Sequence, residues 1–219
     1  MITVLVTRAA DAQDTLTDEL EGSGFAVLSC PLIRTEPVPG PKARAADFDW
    51  IVFTSRTGVR HGLPRLNGAL PKVAAVGPGT TSALGDAGVR VDLVASVHSQ
   101  TGLVDALGES PGLVLFPGAA DAGSELARAL EATHLAVYRT VEMQPASVPD
   151  ADLVAVASAS AARALSRIRK DLCCVSIGPS TSAVARRHGL EVVEEAVSSD
   201  LPGLVHAIRL AASRLRSSA

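Results

Sequence analysis

The residues best placed for chemistry are hydroxyls that follow a Gly-Pro turn. Val73–Gly88 reads VAAVGPGTTSALGDAG, and about a hundred residues on Val175–Gly189 reads VSIGPSTSAVARRHG. In each, a short apolar strand runs into Gly-Pro and then into a hydroxyl pair, Thr80 and Thr81 or Thr181 and Ser182, opening a helix that ends at glycine. The first N–H groups of a helix lack carbonyl partners, so such a start suits a carboxylate or phosphate. One copy is also what an ordinary capped helix looks like; the recurrence singles it out. Four more loops share the same small, hydroxyl-rich character: Thr7–Asp11, Thr54–Gly58, Pro117–Asp121 and Ser158–Ala162. Thr7, Arg8, Ser55, Arg56, Gly77, Thr80, Pro117, Ser158, Ala159, Gly178 and Thr181 are therefore the candidate ligand-binding residues. Small residues let a ligand approach backbone N–H groups closely. No Ser/His/Asp order, no paired catalytic carboxylates and no P-loop lysine accompany them, and Ser82 stands where a GxGxxG loop needs its third glycine. Such a site would hold a polyanion mainly with neutral donors. Arg8, Arg56, Arg60, Arg139 and Arg163 supply the nearby positive charge in an otherwise acidic chain.

The single tyrosine adds a second kind of chemistry. AVY at Ala136–Tyr138 corresponds in the repeat to AVL at Ala26–Leu28, so one copy needs only an apolar residue there. Tyr138 is then either a packed core residue with a satisfied hydroxyl or a proton donor. A phenol of ordinary pKa, about 10, stays protonated at neutral pH and can assist a departing hydroxide.

The elements that must carry these loops come from an internal duplication. LVTRAADAQDTLTDEL (Leu5–Leu20) matches LFPGAADAGSELARAL (Leu115–Leu130), IVFTSRTGV (Ile51–Val59) matches VAVASASAA (Val154–Ala162), and TGLVDAL (Thr101–Leu107) matches PGLVHAI (Pro202–Ile208). Strands are predicted at 3–6, 26–33, 50–54, 73–76, 91–94, 113–116, 135–138, 153–156, 173–177 and 191–193. Between them run stretches of helical period, such as Ala9, Ala12, Leu16 and Leu20. Apolar strands alternating with helices imply an α/β fold with parallel sheets covered on both faces. Two proline-rich breaks, Glu36–Pro41 and Gln144–Pro149, read as linkers. The segment before the first break is too short to bury a core alone and must join the last. The expected organisation is one discontinuous domain of residues 1–35 and 150–219 and another of 42–141, with linkers at 36–41 and 142–149. Each holds a parallel five-stranded sheet whose strands enter in circularly permuted order, and two extended connections predict hinge opening about a cleft.

Composition narrows the function. The chain has 219 residues, 47% hydrophobic and 20% charged, as in globular proteins. A net charge of −3 and 3% aromatic residues give neither the basic field nor the stacking platforms of a nucleic-acid binder. Cys30, Cys173 and Cys174 lie in apolar runs without CxxC spacing and read as structural thiols, and the five histidines form no i, i+4 pair that would mark a metal site. No signal peptide and no run of roughly 20 apolar residues is read, so the expected compartment is the cytoplasm, with no membrane partner.

In order along the chain, Thr7-Arg8, PLI at Pro31–Ile33, FTS at Phe53–Ser55, VG at Val76-Gly77 with Thr80, VYRT at Val137–Thr140 and IGPST at Ile177–Thr181 resemble the uroporphyrinogen-III synthase family. The resemblance implies two flavodoxin-like domains joined by a two-stranded linker. It implies cyclisation of hydroxymethylbilane with inversion of the last pyrrole ring through a spiro intermediate, with no cofactor. On that likeness Tyr138 is the acid that assists loss of the hydroxyl, and Ser55, Thr80, Ser158 and Thr181 bind acetate and propionate groups. A monomer in transient contact with the preceding pathway enzyme is the expected state. A second class of function suits the same residues: a non-catalytic hinged protein that binds an anionic metabolite or a tetrapyrrole. It would explain why Gly118–Ser124 lacks the basic residue often found there in the family.

Overall fold

The four-residue run LVAV at Leu153–Val156, which has no polar alternation, is buried along its whole length, as a strand covered on both faces must be. The computed structural model describes residues 1–9, 16–122 and 124–217. Its strands are β1 (Thr3–Val6), β2 (Ala26–Ser29), β3 (Ile33–Pro37), β4 (Ala43–Arg44), β5 (Trp50–Phe53), β6 (Leu66–Asn67) and β7 (Lys72–Ala75). Then follow β8 (Leu93–Val94), β9 (Val114–Ala119), β10 (Thr133–Glu142), β11 (Leu153–Val156), β12 (Cys173–Ser176) and β13 (Glu191–Glu195). The helices are α1 (Leu16–Gly22), α2 (Arg56–Gly62), α3 (Pro78–Asp86), α4 (Gln100–Leu107), α5 (Ser124–Ala129), α6 (Ala159–Ile168), α7 (Pro179–Arg187) and α8 (Leu201–Ser217).

The chain divides into two compact units, Met1–Arg34 with Thr140–Ala219, and Thr35–Arg139. The first unit is built on a sheet of order β13-β12-β11-β1-β2, with every pairing parallel. The second is built on β3-β10-β9-β5-β7-β8, parallel from β10 through β8. Strand for strand, β8-β7-β5-β9-β10 carries the repeat partners of β13-β12-β11-β1-β2. The spatial order is the same and the chain order is permuted. The second sheet has six strands where the sequence predicts five, because the single run predicted over 26–33 is two strands. β2 ends at Ser29, although Cys30 N–H still bonds Val6 O at 3.0 Å, and the chain restarts as β3 beside β10. The chain passes between the units within β3 and within β10.

In the first unit, Val4, Val6, Leu153 and Val175 turn to one face and pack with Leu16 and Leu20 of α1 and Leu204 and Ile208 of α8. Their neighbours Leu5, Val154, Val156 and Cys174 turn to the other, against Ala161 and Leu165 of α6 and Ala185 of α7. This is the two-residue period of a strand at work. Helix α8 runs unbroken to Ser217, because Leu204, Ile208, Ala211 and Ala212 recur at helical spacing and are all buried. Burial pushes the Cys174 thiol up to about 12, which makes it inert at neutral pH. Ala12 and Asp11 lie outside the described residues.

One polar device recurs at the amino ends of the strands. Asp152 Oδ2 accepts from Thr3 N–H at 2.7 Å, and Asp49 Oδ2 accepts from Leu113 N–H at 2.8 Å. Each aspartate stands just before its strand, β11 or β5, and ties down the start of the next strand in the sheet. Asp49→Ala is expected to lower the free energy of unfolding by about 1 kcal/mol in urea denaturation, while Asp49→Asn, which keeps an acceptor, recovers most of the loss.

Candidate active site

Serine at the end of a buried strand, followed by a helical stretch, favours an N-cap, since its hydroxyl can accept from the amide three residues on. Ser55 does so at the start of α2, with φ −162° and ψ 155° and its Oγ accepting from Gly58 N–H at 2.9 Å. Ser158 repeats this at the start of α6, with φ −163°, ψ 155° and a 3.1 Å bond from Ala161 N–H. Both serines are half-buried and lie at the carboxyl ends of central strands, where open parallel sheets present ligand loops. Ala159 opens α6 directly after the cap.

Tyr138 belongs to the second unit and shares this loop end with Ser55. The register of β10 shifts between Ala136 and Tyr138, which sets Tyr138 opposite Ala119 of β9, and its carbonyl accepts from Ala120 N–H at 2.7 Å. The ring is half-buried and stacks on His61 of α2, with centroids 5.6 Å apart and planes 28° from parallel. Burial pushes the phenol above its ordinary value, hydrogen bonding from Ser55 offsets part of that, and the Asp121 charge adds to the rise. The phenol therefore keeps its proton at neutral pH. Ser55 Oγ, which accepts from Gly58 N–H, is also the hydroxyl that hydrogen-bonds the phenol.

Several sequence candidates are differently employed. Thr7 is fully buried and donates its hydroxyl to Ala155 O at 3.0 Å, so it joins β1 to β11 and its side chain is not turned to a ligand. Thr80 and Thr181 are only 5% and 3% exposed, so their hydroxyls do not line an open surface. At the start of α3 the amides of Thr80 and Thr81 both bond Gly77 O, at 3.1 and 3.0 Å, and the Thr81 hydroxyl reaches the same carbonyl. At α7 the hydroxyls of Ser176 and Ser182 face each other 2.5 Å apart. Gly77 and Gly178 have extended φ; what requires glycine there is close packing, since an added Cβ would stand 3.0 Å from His98 Cγ or 2.3 Å from Ser199 Oγ. Pro117 is buried in β9, its ring and carbonyl set against the positions of Gly62 and Gly58 of α2. Small residues at these turns thus admit neighbouring protein as much as ligand.

The arginines divide likewise. Arg139 gives both Nε and Nη2 to Glu36 Oε2, at 3.0 and 2.7 Å, and so is neutralised in place. Arg56 donates to Gly79 O at 3.2 Å, bracing α2 against the α3 start, and Arg163 reaches Ser160 Oγ at 3.3 Å. Arg60 donates to Thr35 Oγ1 at 2.8 Å. Arg8 is half-buried just beyond β1, and Ala10 and Asp11 of the same loop lie outside the described residues. His61 and Thr35 were not among the sequence candidates. Their only sequence signal is a histidine within the helix that FTS opens, which does not reveal a tyrosine some 77 residues away as its neighbour.

Among the described residues no group of three or more His, Cys, Asp or Glu side chains could hold a metal ion, and no helix is long and apolar enough to cross a membrane. The profile of the uroporphyrinogen-III synthase HemD family matches residues 3–206. The chain belongs to the uroporphyrinogen-III synthase family. The chloroplastic uroporphyrinogen-III synthase of Oryza sativa subsp. japonica is 28% identical over 240 residues, which cover 94% of this chain and 79% of the plant protein. The uroporphyrinogen-III synthetase of Helicobacter pylori 26695 aligns with a TM-score of 0.67 at 16% identity, over 97% of this chain and 99% of that one. A mutant uroporphyrinogen III synthase of Thermus thermophilus gives 0.60 at 17% identity, over 98% and 100%. At these identities the two structures speak to the fold, a mixed α/β arrangement with parallel sheets that members of the family share.

Proposed function

We propose that this chain cyclises hydroxymethylbilane to uroporphyrinogen III, inverting the last pyrrole ring with loss of water and without a cofactor, and that Tyr138 is the general acid. The observation that carries this reading is the Tyr138 phenol at the carboxyl end of the second sheet, kept protonated by burial and contacted by Ser55. In the reaction the phenol proton passes to the terminal hydroxyl, which leaves as water while the pyrrole nitrogen lone pair drives cleavage of the C–O bond. The substituted α-carbon of the last pyrrole attacks the methylene so exposed to give a spiro intermediate, its bond to the former bridge breaks, the bridge re-bonds at the free α-carbon, and the proton lost from that carbon restores the phenol. Because the substrate cyclises unaided to the uninverted isomer, the protein has chiefly to impose a folded geometry.

In this reading the acetate and propionate groups are taken by neutral donors and a few cations: Arg8, Ser158, Ala159 and Gly178 in the first unit, and Ser55, Arg56 and Gly77 in the second. Thr7, Thr80, Pro117 and Thr181 contribute through the backbone they shape. Each unit is read as a flavodoxin-like domain, the two joined by a two-stranded linker formed by the segments 36–41 and 142–149. The chain acts as a cytoplasmic monomer that receives its labile substrate from the preceding enzyme by transient contact. Family membership favours this reading over a non-catalytic binder. The test is to supply freshly made hydroxymethylbilane and separate the oxidised porphyrins by isomer. Predominantly type III product supports the proposal, and type I alone, as in buffer, refutes it.

A further inference from the structure

The phenol of Tyr138 sits where the ladder of its own strand is irregular, so backbone pairing alone does not set its ring. The neighbour that does touch the ring is His61, at 5.6 Å between centroids. His61 Nε2 lies 3.2 Å from Arg60 Nη2 and 3.4 Å from Thr35 Oγ1, and the same Arg60 nitrogen donates to Thr35 Oγ1 at 2.8 Å. A guanidinium can only donate, so in this contact Nε2 is the acceptor and the neutral imidazole carries its proton on Nδ1. Thr35, having accepted from Arg60, has its own proton to give to Nε2. One edge of the imidazole is thus tied to β3 and to its own helix, and its face is laid on the phenol.

We propose that His61 is a positioning residue for Tyr138: its ring sets the plane and reach of the phenol, and Arg60 and Thr35 hold the ring in place. The inference rests on the reading of Tyr138 as the acid. Ser55 contacts the oxygen end of the side chain and His61 its face. Loss of the imidazole frees the ring to turn about its Cα–Cβ bond, which moves the oxygen by an ångström or more, enough to slow a proton transfer by up to about a hundredfold.

The test is a cycle of variants assayed for kcat, KM and isomer ratio. His61→Ala is expected to lower kcat about tenfold with KM changed by less than about twofold, and the type I share of the product to rise. His61→Phe, which restores an aromatic face, is expected to return kcat to within about threefold of the parent. In a Tyr138→Phe background His61→Ala is expected to change kcat by less than about twofold, because the group it positions is gone. An undiminished kcat in His61→Ala overturns the inference, and so does an equal loss in the Tyr138→Phe background or a His61→Phe variant as slow as His61→Ala. If Tyr138→Phe alone leaves kcat unchanged, the acid assignment fails and the inference falls with it. If Tyr138→Phe is slow while His61→Ala is silent, only the inference falls. Should His61→Ala not fold, Thr35→Val decides in its place: a drop of about threefold in kcat that vanishes in the Tyr138→Phe background supports the proposal, and any other result overturns it.

Discussion

Tyr138→Phe is expected to lower kcat about a hundredfold while leaving KM and thermal stability near those of the parent. The ring that stacks on His61 is kept, and the Ser55 hydroxyl still accepts from Gly58, so the change is confined to the phenol oxygen and the bonds it makes. General acids contribute about 10²- to 10⁴-fold, and the lower end applies here because the substrate cyclises without help. The pH dependence follows from the direction of the shift. An acid must be protonated to act, and burial holds this phenol above its ordinary value of 10.0. The rate should therefore stay level through neutral pH and fall only above that value, along a limb set by the phenol. Tyr138→Phe should lose that limb as well as the rate. A Phe variant that keeps more than about half of the parent kcat, or keeps the alkaline limb, would assign the acid to another group and leave geometry as the main source of acceleration.

Gly102→Ala and Gly203→Ala are each expected to destabilise the protein by about 3 kcal/mol, the largest stability effects anticipated here. A Cβ on Gly102 would lie 2.2 Å from Val97 O and 2.7 Å from Val97 Cβ, and one on Gly203 would lie 2.2 Å from Ser198 O. The nearest offending atoms are backbone carbonyls and cannot swing aside. Retreat would also break the helix caps, since Gly102 N–H bonds Ser99 Oγ at 3.0 Å and Gly203 N–H bonds Asp200 Oδ1 at 2.8 Å. Gly85, within α3 and with nothing within 4 Å of an added Cβ, is the contrasting case. There alanine should stabilise by up to about 1 kcal/mol through helix propensity. Urea unfolding of the three variants gives the comparison, and a stable Gly102→Ala would mean that the turn before α4 is more pliable than its packing indicates.

The two glycines at α4 and α8 illustrate what a single chain can reveal about its own fold. TGLVDAL and PGLVHAI match in sequence, and they turn out to share a cap, a clash and a place at the end of an edge strand. The same holds for Ser55 and Ser158, whose backbone angles agree within a degree. Duplication made each local inference a pair, and a pattern dictated by backbone sterics and capping reappears wherever its sequence does. The site was less legible. Thr80 and Thr181 stand where a ligand-binding hydroxyl would stand in a linear reading, yet both side chains turn inward. Sequence gives the position along a helix start, but the rotamer answers to the atoms packed around it.

Although the hydroxyls after the two Gly-Pro turns do not cap α3 or α7, much local order was in the sequence: the alternation of strand and helix, the permuted repeat and the position of one phenol near a strand end. These depend on residues near in sequence, where propensity and hydrogen-bond geometry act over a few positions. What tertiary structure alone decided was which side chains meet across the sheet. His61 and Thr35 at Tyr138, Asp49 at Leu113, and Glu36 on Arg139 are pairs set 26 to 103 residues apart, or brought together by such pairs. No local preference selects them. They follow from strands β3, β5, β9 and β10 being laid side by side, which happens only when the apolar faces of a whole sheet are buried at once.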